Sequence, residues 1–306
     1  MITPPNTPPN TPPSTPPTAP AATRHVLVVG IDGVRLDLLA QLHTPHLDRV
    51  AEQGFLAPVR IDDPTPTMSG PCWATILTGV DVTKHAVWGN DLSGNRLRVF
   101  PDFTTRLAAE RGRRTAAVGG WAPLFLAQDG GPLFLAPSRL CYIAPQADTP
   151  EAWEECDESV ATEAARLLIG EAGLDACFVY LGSPDETAHF RGCGADYREA
   201  VEAADRRLGR LLSALDGRPG RADEQWTVIV VTDHGHREAG GHGGRSTAER
   251  TAWIAACGPD IPADAAPGAL RHADVAAHAY RALDIPLDHH WTLDGRPFAV
   301  REPSLA

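Results

Sequence analysis

The amino-acid sequence predicts an α/β protein with a mostly parallel sheet covered by helices on both faces. Three observations predict it. Several short runs are apolar at nearly every position, as strands buried on both sides must be. Amphipathic helical segments alternate with those runs. Three of the runs lead into an aspartate, and in open α/β sheets ligand sites lie beyond the carboxyl ends of strands.

The elements follow in order. Residues 1–22, MITPPNTPPNTPPSTPPTAPAA, repeat a Thr/Asn/Ser-Pro-Pro unit with no charge and almost no large apolar side chain. Such a segment buries too little surface to offset its ordering entropy, so a disordered, polyproline II-like tail is expected. It lacks the basic start and apolar centre of a signal peptide. HVLVVGID (25–32) reads as the first buried strand. TPHLDRVAEQG reads as a helix, with Thr44 as cap, Pro45 in the first turn and Gly54 as stop. DDPTPTMSGPCWATILTG (62–79) reads as a loop followed by a helix that begins near Ser69. RTAAVGG (114–120) is a second strand and ESVATEAARLLIGEAG (158–173) a helix. DACFVYLGSPD (175–185) is a third strand running into a loop. YREAVEAADRRLGRLLSALD (197–216) is a long amphipathic helix, and QWTVIVVTDHG (225–235) a fourth strand. TAWIAACGP (251–259) reads as a fifth strand and HADVAAHAYRALDIP (272–286) as a late helix. No break in composition divides residues 23–306, so one domain is expected.

Composition limits the function. The 27 Lys and Arg against 39 Asp and Glu leave a net charge of −12. A stable nucleic-acid binder needs a basic face, which that balance argues against. The six cysteines form no CxxC pair, which suits a reducing compartment better than a disulfide framework. No apolar run approaches the roughly 20 residues that span a bilayer. With no targeting segment visible, the cytoplasm is the expected location, secretion staying open.

The strand-end acids are Asp32, Asp185 and Asp233. Any one alone reads as a helix cap. Together they come with His189, His234 and His242, the last within GGHGG. Oxygen and imidazole donors without cysteine suit zinc or another divalent transition ion. Six donors exceed one tetrahedral shell and make two three-ligand sets. Two such ions, roughly 4 Å apart, clamp the attacking and leaving oxygens of an in-line displacement at phosphorus. Ser69, at a helix N-terminus, is placed where backbone N–H groups and the helix dipole favour a phosphate and an ionised alkoxide.

These residues resemble the alkaline phosphatase superfamily, and within it the type I phosphodiesterase/nucleotide pyrophosphatase and phosphonoacetate hydrolase branch. The carriers are VLVVGIDGVRLD, TPHLDRVAEQG, PTPTMSGPCWATILTG, KHAVWGND, SPDETAHFRG, TDHGH, GGHGG and the closing LDGRPF. The resemblance implies an alkaline phosphatase-like three-layer sandwich and two divalent ions, zinc first and manganese second. Asp185, His189 and His242 would hold the ion that orders the attacking water. Asp32, Asp233, His234 and the Ser69 oxygen would hold the other. Ser69 would form a covalent bond to phosphorus, and Asn90 and the Gly70 N–H would donate to phosphate oxygens. The diesterase branch usually has Thr at the nucleophile followed by an aromatic; here the pair is Ser69-Gly70. Thr67 is the alternative nucleophile, and Trp73 or Trp88 the alternative stacking face. Cys72 lacks the Cys-x-Pro-Ser-Arg context of a sulfatase.

The implied activity is hydrolysis of phosphodiester or nucleotide pyrophosphate bonds in a small phosphoester substrate. A phosphomonoesterase, a phosphonate hydrolase and a non-catalytic metal-binding or scaffold protein are the alternatives. The oligomeric state is not legible. Among other residues, His85 reads as a turn residue or a support for Asn90. His236 reads equally as substrate-facing or as a solvated loop residue. His289 and His290 read as surface, and Arg245 and Arg250 as ion-pair partners. Trp121 reads as pocket lining or core.

Overall fold

The computed structural model describes residues 22–298 and 300–301. The tail expected over residues 1–22 lies outside the described residues, apart from Ala22. Seven strands form the main sheet: β1 (Thr23–Ile31), β2 (Gly54–Arg60), β3 (Thr115–Gly119), β4 (Arg139–Tyr142), β5 (Ala176–Leu181), β6 (Glu224–Val231) and β7 (Thr251–Cys257). Their order is β2-β7-β6-β1-β5-β3-β4. The run from β6 through β4 is parallel, and β7 is antiparallel to both of its neighbours. The sheet is therefore mixed but mostly parallel, as the sequence predicts.

Two core layers follow from the period of two along each strand. Val26 and Val28 of β1, Phe178 and Tyr180 of β5, and Ile229 and Val231 of β6 face one layer. There they meet Trp73, Ile76 and Leu77 of the Ser69–Thr78 helix, Leu107 of Phe103–Arg111 and Ala279 of Asp274–Ala282. Leu27 and Val29, Cys177 and Val179, and Val228 and Val230 face the other. That layer is closed by Val50 of the Pro45–Glu52 helix, Val160 and Leu167 of Pro150–Gly170, and Val201 and Leu208 of Ala195–Asp216.

Register places the site. Val29 pairs with Val179 on one side and Val230 on the other, so the carboxyl ends of β1, β5 and β6 lie level. Asp32 and Asp233 leave the sheet at that edge, and the Asp32 N–H donates to the Leu181 carbonyl at 2.9 Å.

Several local expectations need correction. Asp185 does not sit in a loop: it lies in the first turn of the Ser183–Arg191 helix, with Pro184 beside it. A proline in the first turn favours a helix start, and the i,i+4 spacing puts Asp185 and His189 on one face. The helix expected at 158 begins at Pro150, capped by the Thr149 hydroxyl, which accepts from the Ala152 N–H. Thr44 takes the cap position of its helix but makes no capping bond. The Asp205 carboxylate instead accepts from the His46 and Leu47 N–H groups, at 3.2 and 2.8 Å. Gly54 does not merely stop that helix; it opens β2.

Candidate metal centre

The six Asp and His side chains from three chain segments converge at the carboxyl edge. Asp32, Asp233 and His234 form one set of donor atoms within 4.8 Å of one another, and Asp185, His189 and His242 form another. The two sets meet where the His234 and His242 rings stack at 3.8 Å.

In the first set the outward atoms are all engaged and the inward ones are bare. Asp32 Oδ2 accepts from Trp73 Nε1 at 2.9 Å and from the Tyr180 hydroxyl at 2.7 Å. Asp233 Oδ1 accepts from the Gly33 and His234 N–H groups, at 3.1 and 3.0 Å. Asp32 Oδ1 and Asp233 Oδ2 are buried without a hydrogen-bond partner among the described residues. They lie 3.7 and 3.2 Å from His234 Nε2. Unpaired buried carboxylate oxygens are costly, and convergence on one imidazole nitrogen is the pattern a divalent cation satisfies. In the second set His242 Nδ1 donates to the Thr67 carbonyl at 2.7 Å, which turns Nε2 inward. His189 Nε2 lies 2.9 Å from that atom and 3.3 Å from Asp185 Oδ2. A backbone carbonyl on the outer nitrogen is the usual way a ligating histidine is oriented.

Electrostatics agree with the donor chemistry. Burial, with Asp233 and Asp185 close by, pushes the Asp32 carboxyl well above the usual carboxylate range. Burial and the charge of Asp185 push Asp233 up to about 8. Asp185 is buried too, but hydrogen bonds from His189 and His236 hold its carboxyl well below the usual range. Burial also holds His234 and His242 below the ordinary histidine value. Neutral imidazoles facing crowded carboxylates form a site that cations complete.

Ser69 is the first residue of its helix, with Met68 in the cap position. Its hydroxyl is not spent on capping; it lies 3.5 Å from His234 Nε2. The Thr67 hydroxyl is engaged, donating to the Gly244 carbonyl and accepting from the Gly243 N–H. The Gly70 N–H, expected to face phosphate, donates to Asn90 Oδ1 at 2.8 Å. That bond fixes the Asn90 amide against the helix N-terminus by its carbonyl oxygen, which leaves the NH2 group unspent on the Gly70 N–H. A Cβ at Gly70 would meet the Gly89 carbonyl oxygen at 2.2 Å, so the 88–90 turn fills the space an aromatic there would need. Trp88, on that turn, is 50% exposed. Trp73 is fully buried and is no stacking face.

The sequence missed or misplaced several contributors. His236 is fully buried, its Nε2 2.7 Å from Asp185 Oδ1, and is not a solvated loop residue. Its spacing two residues after His234 was the available signal. Tyr180 carried none, since only the β1–β5 pairing brings it to Asp32. Asp157, also unsignalled, accepts from the Gly182 and Ser183 N–H groups at 3.0 and 2.8 Å and so caps the helix bearing Asp185. His85 is not a turn residue but the buried last residue of the Val82–His85 helix, its Nε2 3.0 Å from Thr75 Oγ1 and its Nδ1 accepting from the Val87 N–H. Arg245 and Arg250 pair with Asp63, and Trp121 stacks on Tyr180. His289 and His290 are exposed.

A family model described as type I phosphodiesterase / nucleotide pyrophosphatase matches residues 26–246. The chain belongs to that family. Ectonucleotide pyrophosphatase/phosphodiesterase family member 7 from Homo sapiens is 25% identical over 228 residues, 69% of this chain and 47% of that protein. The Rattus norvegicus protein of the same name is 23% identical over 226 residues, 69% of this chain and 49% of its own. The chain thus spans about half the length of the curated relatives it matches. Murine ectonucleotide pyrophosphatase / phosphodiesterase 5 superposes with TM-score 0.62 at 15% identity, over 86% of this chain and 96% of that one. An inactive variant of it has been solved in complex with AMP. The phosphonate monoester hydrolase of Agrobacterium radiobacter gives TM-score 0.63 at 16% identity, over 90% of this chain and 76% of that one. These neighbours share the fold of this chain. No helix of the described residues is long and apolar enough to cross a membrane.

Proposed function

We propose that this chain is a two-metal phosphohydrolase that cleaves phosphodiester or nucleotide pyrophosphate bonds through a covalent bond between Ser69 and phosphorus. The observation that carries the reading is the pair of unpartnered carboxylate oxygens, Asp32 Oδ1 and Asp233 Oδ2, aimed at His234 Nε2 with the Ser69 hydroxyl beside it. Asp32, Asp233, His234 and Ser69 would hold one ion, and Asp185, His189 and His242 the other. The donor set of imidazole and carboxylate suits zinc first and manganese second. Such ions would neutralise the phosphate oxygens and favour ionised hydroxyls at neutral pH.

The chain's own residues supply the rest. Ser69 Oγ forms a bond to phosphorus as the bond to the leaving oxygen breaks in line. Water then forms a new P–O bond as the bond between phosphorus and Ser69 Oγ breaks, and a proton from that water returns to Ser69 Oγ. Asn90, its carbonyl anchored on the Gly70 N–H, directs its NH2 group to a non-bridging oxygen, where charge grows in the transition state. Trp88 offers an exposed face to an apolar or aromatic substituent. Family membership and AMP in a structurally similar protein support a nucleotide or other small phosphodiester.

The test is turnover of bis-p-nitrophenyl phosphate against p-nitrophenyl phosphate by the zinc-loaded chain, with and without Ser69→Ala. The expected result is a diester preference and a loss in kcat of about 1,000-fold or more with the substitution. A monoester preference overturns the substrate class. Turnover unchanged by Ser69→Ala overturns the nucleophile. Stoichiometric metal binding without turnover of either ester supports the non-catalytic reading instead.

A further inference from the structure

We infer that His236 is a positioning residue for the Asp185–His189–His242 set, donating from Nε2 to Asp185 Oδ1 so that Asp185 presents Oδ2 to the ion. Nothing in the proposed reaction uses His236, yet its ring is completely buried at the junction of the two donor sets. Its centroid lies 5.3 Å from that of His189, 5.7 Å from His234 and 5.2 Å from His242. Among the described residues its one side-chain hydrogen-bond partner is Asp185, at 2.7 Å, and its Nδ1 has none. Facing a carboxylate oxygen at that distance, Nε2 must carry the proton, because two lone pairs would repel.

The surroundings hold this bond in place. Gly33 adopts φ +69°, and a Cβ there would meet His236 Nε2 at 2.6 Å and Asp185 Oδ1 at 2.7 Å. The Gly33 turn therefore lies directly against the hydrogen bond and keeps water from it. The same turn is pinned on both sides: its N–H donates to Asp233 Oδ1, and its carbonyl accepts from the Tyr197 hydroxyl at 2.9 Å. Asp185 Oδ1 is hydrogen-bonded to His236 at 2.7 Å and lies farther, 3.6 Å, from His242 Nε2, while Oδ2 is 3.3 Å from His189 Nε2. A carboxylate restrained in this way ligates through one oxygen with its plane already set. Partners of this kind change metal affinity by about 10- to 100-fold when removed.

The inference rests on the two-ion reading, and one titration separates their failures. Zinc is titrated into the chelator-stripped full chain against a chromogenic chelator, for wild type, His236→Leu and His236→Gln. Leu keeps the volume without a donor; the Gln amide nitrogen reaches the position of Nε2. The expected result is two sites in the wild type, one of them about 10- to 100-fold weaker in His236→Leu, and recovery of that site in His236→Gln. Should the Leu variant fail to fold, His236→Asn, whose amide stops short of Asp185, replaces it. Equal affinities in all variants overturn the inference, as does equal weakening of both sites. A Gln variant as weak as the Leu variant makes His236 a ligand itself and also overturns it. A wild type that takes fewer than two ions ends the two-ion reading and the inference with it.

Discussion

Tyr180→Phe isolates one hydrogen bond at the proposed nucleophile-side metal set. Tyr180 is almost completely buried, and its hydroxyl donates to Asp32 Oδ2 at 2.7 Å alongside Trp73 Nε1 at 2.9 Å. Phenylalanine keeps the ring, its edge contact with Trp73 and its stacking on Trp121, so no large cavity forms. What is lost is a donor to a carboxylate. Without an ion, burial and the nearby Asp233 and Asp185 push the Asp32 carboxyl well above its ordinary value, which disfavours the charged form that gains most from the bond. With an ion bound the carboxylate is charged, and a hydrogen bond to a charged group is worth about 1.5–3 kcal/mol. At about 1.4 kcal/mol per tenfold, much of that difference falls on the metal complex, a weakening of about 10- to 150-fold. Zinc competition titration at constant pH measures it. The affected site should be the one untouched by His236→Leu, and the melting temperature of the metal-free protein should barely move. An affinity within about twofold of wild type would refute the claim that Tyr180 orients Asp32 for a cation.

Three further expectations follow from the same contacts. Gly70→Ala forces a Cβ to 2.2 Å from the Gly89 carbonyl oxygen, so the turn carrying Asn90 must move. A displacement near 1 Å costs about 100-fold in turnover with zinc stoichiometry retained, and steady-state kinetics at wild-type rate would exclude it. Asp157→Ala leaves the Gly182 and Ser183 N–H groups buried and unpaired, costing about 2–4 kcal/mol in urea unfolding; a change under about 0.5 kcal/mol would show that water replaces the carboxylate. His278 is buried and held down to about 4, chiefly by burial, while its Nδ1 accepts from the Phe298 N–H. The folded state thus favours the neutral ring, and this stability is full above pH 6.5 and lost as pH falls through 4. Relative to His278→Asn, which keeps an acceptor, the wild type should lose up to about 3 kcal/mol between pH 7 and pH 4, and parallel profiles would refute the assignment.

What the sequence made legible follows from which side chains face two ways. β1, β5 and β6 lie mid-sheet, so both faces are covered and almost every position is apolar. β2 and β4 are edge strands; one carries Pro58 and the other is four residues, two exposed and two half-buried, so neither has a run to read. At the site, Asp32 and Asp233 were visible because charge ends an apolar run abruptly. Asp185 is visible too, but the apolar run passes into the Ser183–Arg191 helix with only Gly182 between, so the helix start does not stand out. The Ser183-Pro184 start and the four-residue spacing to His189 were the local signals. The residues that orient the donors were hidden for a different reason. Trp73 and Tyr180 sit inside GPCWATIL and CFVYL, where hydropathy reads them as core, and core is where they are. Each spends one polar atom on Asp32, across 41 and 148 residues of sequence. An aromatic near a nucleophile invites a stacking role, but Trp73 lies one helical turn beyond Ser69 on a helix buried all round, so its indole can only point inward. Its N–H must then find an acceptor, and it finds the carboxylate at the end of the central strand.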